Sequence, residues 1–160
     1  MVCSVGAPYP DGVSLVFPLH RLPEEPVQPV ARLLHLDAHR HDGLHDWSGR
    51  VRDADEAIAL IGRDGRLVAL SSSAGQLLKL DPPTSVGALL LDLLSLVDFT
   101  SVGVPVTDPA LELPPLRALA QNRLQRGLVR VRDGFTTTTY DMVGVPLTGG
   151  AGALMFLSLV

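Results

Sequence analysis

The sequence predicts an α+β fold built on an antiparallel sheet, and three observations lead there. Apolar runs of strand length stand in groups at both ends of the region after residue 43, with helical patterns between them. That grouping gives a sheet whose helices gather on one face. Asp64-Gly65 and Asp133-Gly134 each lie between two such runs, and Asp-Gly is a favoured pair for tight hairpins. The final run, Ala153 to Val160, is apolar on both alternating faces, so it belongs in the sheet centre, covered above and below.

Before residue 43, Pro8, Pro10, Pro18, Pro23, Pro26 and Pro29 forbid a long helix and break any central strand. Residues 1–43 therefore read as a proline- and histidine-rich N-terminal arm, expected to be loosely packed. It holds a short strand's worth of residues at Val13–Phe17 and a helical turn or two at Val30–Leu36. Residues 44–160 read as one domain.

The domain opens with an amphipathic helix over 44–56. Leu44, Trp47, Val51, Ala54 and Ile58 recur at steps of three and four, while Arg50, Arg52, Asp53 and Asp55 fall off that stripe. Gly49 weakens the helix by roughly 1 kcal/mol relative to Ala, so the stripe needs a packing partner. Leu44, Trp47 and Val51 are expected either to pack on the chain's own sheet or to meet a second copy.

Ala57–Ile61 and Leu67–Leu70 are apolar strands, and Asp64-Gly65 suits a two-residue type I′ turn between them. Ser72 or Ser73 is placed to cap a short helix carrying Ala74, Leu77 and Leu78, which Asp81-Pro-Pro83 ends. Val86–Val97 reads as a buried helical segment, followed by a Pro- and Gly-containing loop through Pro109. Pro115 suits the first turn of another helix, with Leu116, Leu119, Ala120 and Leu124 as its stripe and Gly127 as its stop. Three strands close the chain, at Leu128–Arg132, Phe135–Leu147 and Ala151–Val160, with Gly149-Gly150 as a third turn. The count is five strands, helices inserted between the second and third, and the Ala57–Ile61 strand beside the last one at the centre.

Composition narrows the function. The net charge is −4 and the arginines are scattered among carboxylates, which lacks the basic stripe that nucleic acid requires. Cys3 is the single cysteine, so no internal disulfide forms, as expected in a reducing compartment. Residues 1–17 lack a basic n-region and carry Pro8, Pro10 and Asp11 where a signal peptide has its apolar core. The greasiest run, Val86–Phe99, is too short to span a bilayer and is broken by Asp92 and Asp98. A cytoplasmic protein with no nucleic-acid and no membrane partner is expected. Lys79 is the only lysine beside abundant Arg, Ala, Leu, Val, Gly and Pro, a bias that points to a GC-rich bacterial gene.

The run from Ala57 through the Ile61-Gly-Arg-Asp-Gly-Arg-Leu-Val-Ala-Leu-Ser71 segment, then Ala74, Leu77-Leu78 and Gly87, resembles the opening half of a PAS domain. The closing strands, with Gly134 in a hairpin and Val145-Pro-Leu147 before the last strand, are similar to its second half. The resemblance covers Asp55 to Val160. It departs from the family pattern at Ser71, where Asn is usual, at Gly62, where Asp is common, and at Lys79, where Gly is common. Five strands with helices after the second fit it better than a GAF-like or longin-like domain. It implies a sensory or regulatory module that binds a small ligand or a protein partner and catalyses nothing. The alternative is a ligand-free structural dimerisation or interaction domain. No kinase, cyclase or helix-turn-helix is expected after Val160, and output is expected through a homodimer or a signalling partner.

The fold family does not name the ligand. The PAS-like region has no histidine and no cysteine, so it offers no residue for a His-ligated haem, a covalent flavin or a thioester-linked chromophore. The cofactor is left unknown, with a small apolar ligand or non-covalent flavin open. If Asp133-Gly134 is a two-residue turn, Val131 pairs with Thr136 and Val129 with Thr138. The inward set, and the candidate ligand pocket, is then Val129, Val131, Thr136, Thr138, Tyr140 and Met142. Threonines that merely favour strands give the same pattern.

His35 and His39, and His41 and His45, are spaced for metal sharing on a helix. No His-Glu-x-x-His pattern accompanies them and Gly43 interrupts the segment, so a solvated polar linker is expected and no metal site is assigned. No catalytic residue is assigned either: Ser71, Ser72 and Ser73 lack a nearby His or a nucleophile elbow, and no phosphate loop is present.

Overall fold

The computed structural model describes residues 43–160; the N-terminal arm, with His35, His39 and His41, lies outside the described residues. The sheet has six antiparallel strands rather than five: β1 Ile58–Gly62, β2 Leu67–Leu70, β3 Ser95–Val97, β4 Gln125–Asp133, β5 Thr136–Pro146 and β6 Gly152–Leu159. Their spatial order is β2-β1-β6-β5-β4-β3. The helices are α1 Leu44–Arg52, α2 Ser72–Leu78, the short turns α3 Pro82–Ser85, α4 Leu90–Leu93 and α5 Pro109–Glu112, and α6 Pro114–Gln121.

β6 lies between β1 and β5, where its two-sided apolar pattern places it. Its two faces feed different cores. Met155 and Leu157 join Ala59, Ile61, Val129, Tyr140 and Met142 beneath the inserted helices. Leu154 and Phe156 join Ile58, Leu60 and Val143 on the other side, and α1 covers them with Leu44, Trp47 and Val51. Val51 is fully buried there, and a fully buried side chain of its kind contributes about 1.5–3 kcal/mol. The stripe thus packs on its own sheet.

The helix is shorter than its stripe. It stops at Arg52 with Asp53 as C-cap, and Ile58 opens β1 opposite Phe156. Ile58 suits either element, but strand pairing buries it fully, and that long-range gain ends the helical pattern.

The sixth strand comes from Val86–Val97, which is not a continuous helix. Leu90–Leu93 makes one turn and Ser95–Val97 pairs with Arg130–Arg132. Earlier in the segment, Leu67 donates to the Ala88 carbonyl at 2.9 Å and Gly87, at φ +90°, donates back to Leu67 at 2.7 Å. The run therefore closes the outer edge of β2 at one end and extends the sheet beyond β4 at the other. An apolar run alone does not distinguish these states from a buried helix.

The first hairpin differs in its loop. Gly62 donates to Arg66 at 2.8 Å and accepts from Gly65 at 2.9 Å, enclosing Arg63-Asp64-Gly65. Only Gly65 takes a positive φ, +77°, so the loop has three residues with a bulge instead of a two-residue type I′ turn. In the β4–β5 hairpin Asp133 stays in the strand, opposite Thr136, and the turn is Gly134-Phe135 with Gly134 at φ +57°. The register is offset by two residues from the expected one: Val131 faces Thr138 and Val129 faces Tyr140. Because side chains alternate with period two, the offset leaves every residue on its expected face.

Helix α6 also ends early. Asn122, at φ +47°, terminates it, while Gly127 lies inside β4 opposite Met142. Leu116 and Leu119 pack half-buried against the inner core as expected, Ala120 and Leu124 are exposed, and Pro114, Pro115 and Ala118 are the fully buried members. The helix N-terminus docks closely on the sheet: a Cβ on Gly144 of β5 would stand 2.5 Å from the Pro114 carbonyl oxygen.

Candidate functional site

The inner face of the sheet brings four of the six expected pocket residues together. Val129 faces Tyr140 across the β4–β5 ladder, with Met142 and Val131 on the same side, all buried in one apolar cluster. The Tyr140 hydroxyl donates to the Leu77 carbonyl at 2.6 Å, tying the end of α2 to the sheet. Thr138 is half-buried, whereas Thr136 is exposed at the hairpin turn and its hydroxyl donates to Asp133 at 3.0 Å. Leucine, methionine and tyrosine side chains occupy the space beneath the helices.

Ser71, rather than Ser72 or Ser73, holds the base of α2. It is fully buried; its Oγ accepts from the Ala74 and Ile58 amides, both at 3.1 Å, and donates to the Glu56 carbonyl at 2.7 Å. One hydroxyl thus caps α2 and binds the start of β1 to the end of β2. Lys79 is the left-handed residue after α2, at φ +54°, which explains why glycine suits that position. Its ammonium meets Asp133 at 2.6 Å, and that hydrogen bond, with the carboxylate's charge, raises its pKa.

A cleft of about 550 Å³ opens at the edge of this core, between β3, β4, α5 and the loop joining β3 to α5. Leu96, Val97 and Val129 are its buried floor, and Phe99, Val104 and Leu111 are its rim, 59%, 51% and 65% exposed. Val129 is therefore both a core residue and a cleft residue. The loop is held from beneath. Arg130 donates to the Asp98 and Thr100 carbonyls, both at 2.9 Å, and its guanidinium lies 5.7 Å from the centre of the Phe99 ring. Arg132 donates to Val102 at 3.0 Å and to Gly103. Within the loop, Asp98 Oδ1 accepts from the Thr100 hydroxyl at 2.5 Å and from the Val104 amide at 2.8 Å. The Thr100 hydroxyl, the two loop amides and nearby Arg130 hold the Asp98 carboxyl below its usual value against a smaller desolvation effect.

A second cleft, about 660 Å³, lies between the β1–β2 and β5–β6 turns against Leu89, Leu91, Leu116 and Leu119. Among the described residues no group of three or more His, Cys, Asp and Glu is placed to hold a metal ion. His45 is exposed on α1.

The antiparallel sheet with its helices is similar to two solved structures. The PAS domain of a protein from Colwellia psychrerythraea superposes with a TM-score of 0.51 at 14% identity, over 73% of this chain and 96% of that one. The chain has the PAS fold. A PAS domain from a two-component sensor histidine kinase is similar to the same extent, with a TM-score of 0.50 at 13% identity over 73% and 96% of the two chains. No protein-family model matches the sequence, and no curated protein does.

Sequence reasoning passed over the loop that builds the cleft of this PAS fold. The available signal was composition: Phe99, Val102, Val104, Val106 and Leu111 are large apolar residues in a segment broken by Gly103, Pro105 and Pro109. Turn-forming segments between elements are ordinarily polar, so apolar residues there mark packing or binding. Among the described residues no helix is long and apolar enough to cross a membrane.

Proposed function

We propose that the chain is a PAS-type sensory or regulatory module that takes a small ligand in the cleft beside β3 and β4 and does no catalysis. The observation that carries this reading is the cleft's construction. Its floor is continuous with the core through Leu96 and Val129, its rim leaves three large apolar side chains exposed, and two arginines hold its loop in place. A cleft of about 550 Å³ is within the range that small-molecule sites occupy. A ligand seated on Val129 bears on β4, and the ladder β4-β5-β6-β1 leads from there to α1 on the opposite face. Output then passes through a homodimer or a signalling partner that reads the position of α1. The similar PAS domain from a sensor histidine kinase agrees with such a role. A cytoplasmic, bacterial setting is part of the proposal.

The test is native mass spectrometry of the purified chain beside a Val106→Trp variant, which fills the cleft. Retained small-molecule mass in the natural chain and its loss in the folded variant is the expected result. A chain that carries nothing, and whose melting temperature ignores a panel of apolar small molecules, would defeat the reading. It would favour the second one, a ligand-free interaction or dimerisation domain, for which the side-chain-filled inner face speaks.

A further inference from the structure

The cleft has a polar side as well as an apolar one. Asp108, the residue before α5, and Glu112, its last residue, line the opening together with the exposed Leu111. Neither carboxylate has a hydrogen-bond or ion-pair partner among the described residues, although both flank the same one-turn helix. The other two charged residues of the lining are committed internally. Asp98 accepts from its own loop, and Arg130 donates to two loop carbonyls while facing the Phe99 ring. Counting all four, the lining carries three carboxylates and one guanidinium, an excess of negative charge beside an apolar floor.

We infer that the ligand class of this cleft is a small amphipathic cation, an apolar body bearing a protonated amine that meets Asp108 and Glu112. The inference rests on the proposed ligand-binding reading and adds to it the sign of charge and its place. The apolar part covers the exposed Phe99, Val104 and Leu111 above the buried floor of Leu96 and Val129, and taking that surface out of water supplies most of the affinity. The two carboxylates supply discrimination, since they favour a cation and repel an anion at the rim. Their contribution is modest because both are exposed, and salt screens it.

Three probes with one apolar body separate the possibilities: octylammonium, 1-octanol and octanoate, titrated into the full chain and followed by amide chemical shifts. Shifts at 104–112 and 129–130 are expected, with octylammonium binding about three- to tenfold more tightly than 1-octanol and octanoate the weakest. The Asp108→Asn, Glu112→Gln double variant should erase the preference for the cation and leave 1-octanol affinity unchanged. Leu111→Ser should weaken all three probes. Equal binding of the three at these positions overturns the cation class but leaves a ligand-binding cleft. A cation preference that survives the double variant also overturns it. If none of the probes moves these amides, the cation inference and the ligand-binding reading fall together.

Discussion

Ser71 shows how one side chain can fix the meeting point of three elements. Its hydroxyl serves two amides and one carbonyl without access to water. Ser71→Ala leaves those groups unsatisfied and removes the α2 cap, so a loss of about 2–3 kcal/mol is expected. Urea unfolding would register it as a lower midpoint at unchanged slope; an unaltered midpoint would show that water replaces the hydroxyl. Tyr140→Phe tests a single bond. Removing its donation to the Leu77 carbonyl should cost about 1 kcal/mol by the same measurement. The capping role was legible in the Ser71-Ser72-Ser73 triplet, but the choice among three competent caps was not. It was made by Ile58, the first residue of β1, and Glu56 just before it.

At the scale of elements, the docking of α6 on β5 and the pinning of the β3–α5 loop are the contacts most open to test. A methyl group on Gly144 would meet the backbone of Pro114 and Pro115, which has no rotamer by which to yield. Gly144→Ala should therefore destabilise by about 1–3 kcal/mol or more and lower the melting temperature, with the largest shift changes in α6. The loop depends on Asp98 being ionised. Its carboxyl titrates below the ordinary 3.8 when folded, so the loop's stabilisation is complete above that value. It is lost as pH falls through the lowered folded value. Amide exchange at Val104 should stay protected until that acid range; protection lost in neutral solution would contradict the assignment. The helical reading of Val86–Val97 and the overlong first helix failed for one reason. Both depended on local apolar spacing, and in both cases a distant strand offered the same residues better burial.

Across the whole molecule, the two apolar faces of the sheet need cover, and α1 gives it to the outer one. Trp47 is the only tryptophan in the chain and lies on that helix, so its fluorescence reports the docking. Val51→Asp buries a charge where Val51 is fully enclosed. It should release α1, shift Trp47 emission to the red and weaken the fold by several kcal/mol. Unchanged emission would mean that α1 is held by something other than its own sheet.

What the sequence determined by itself is whatever depends on periodicity. Alternation identified the strands and put β6 in the centre, and it assigned Val129, Tyr140 and Met142 to one face even though the register was offset by two. The tertiary structure alone decided where elements stop and which loop becomes a wall. A backbone amide in an apolar run is satisfied equally by its own helix or by another strand, and only the arriving partner selects between them. The cleft has the same origin, since it needs Val129, Arg130 and Leu111 from separate segments to meet, and no local pattern in the chain records that meeting.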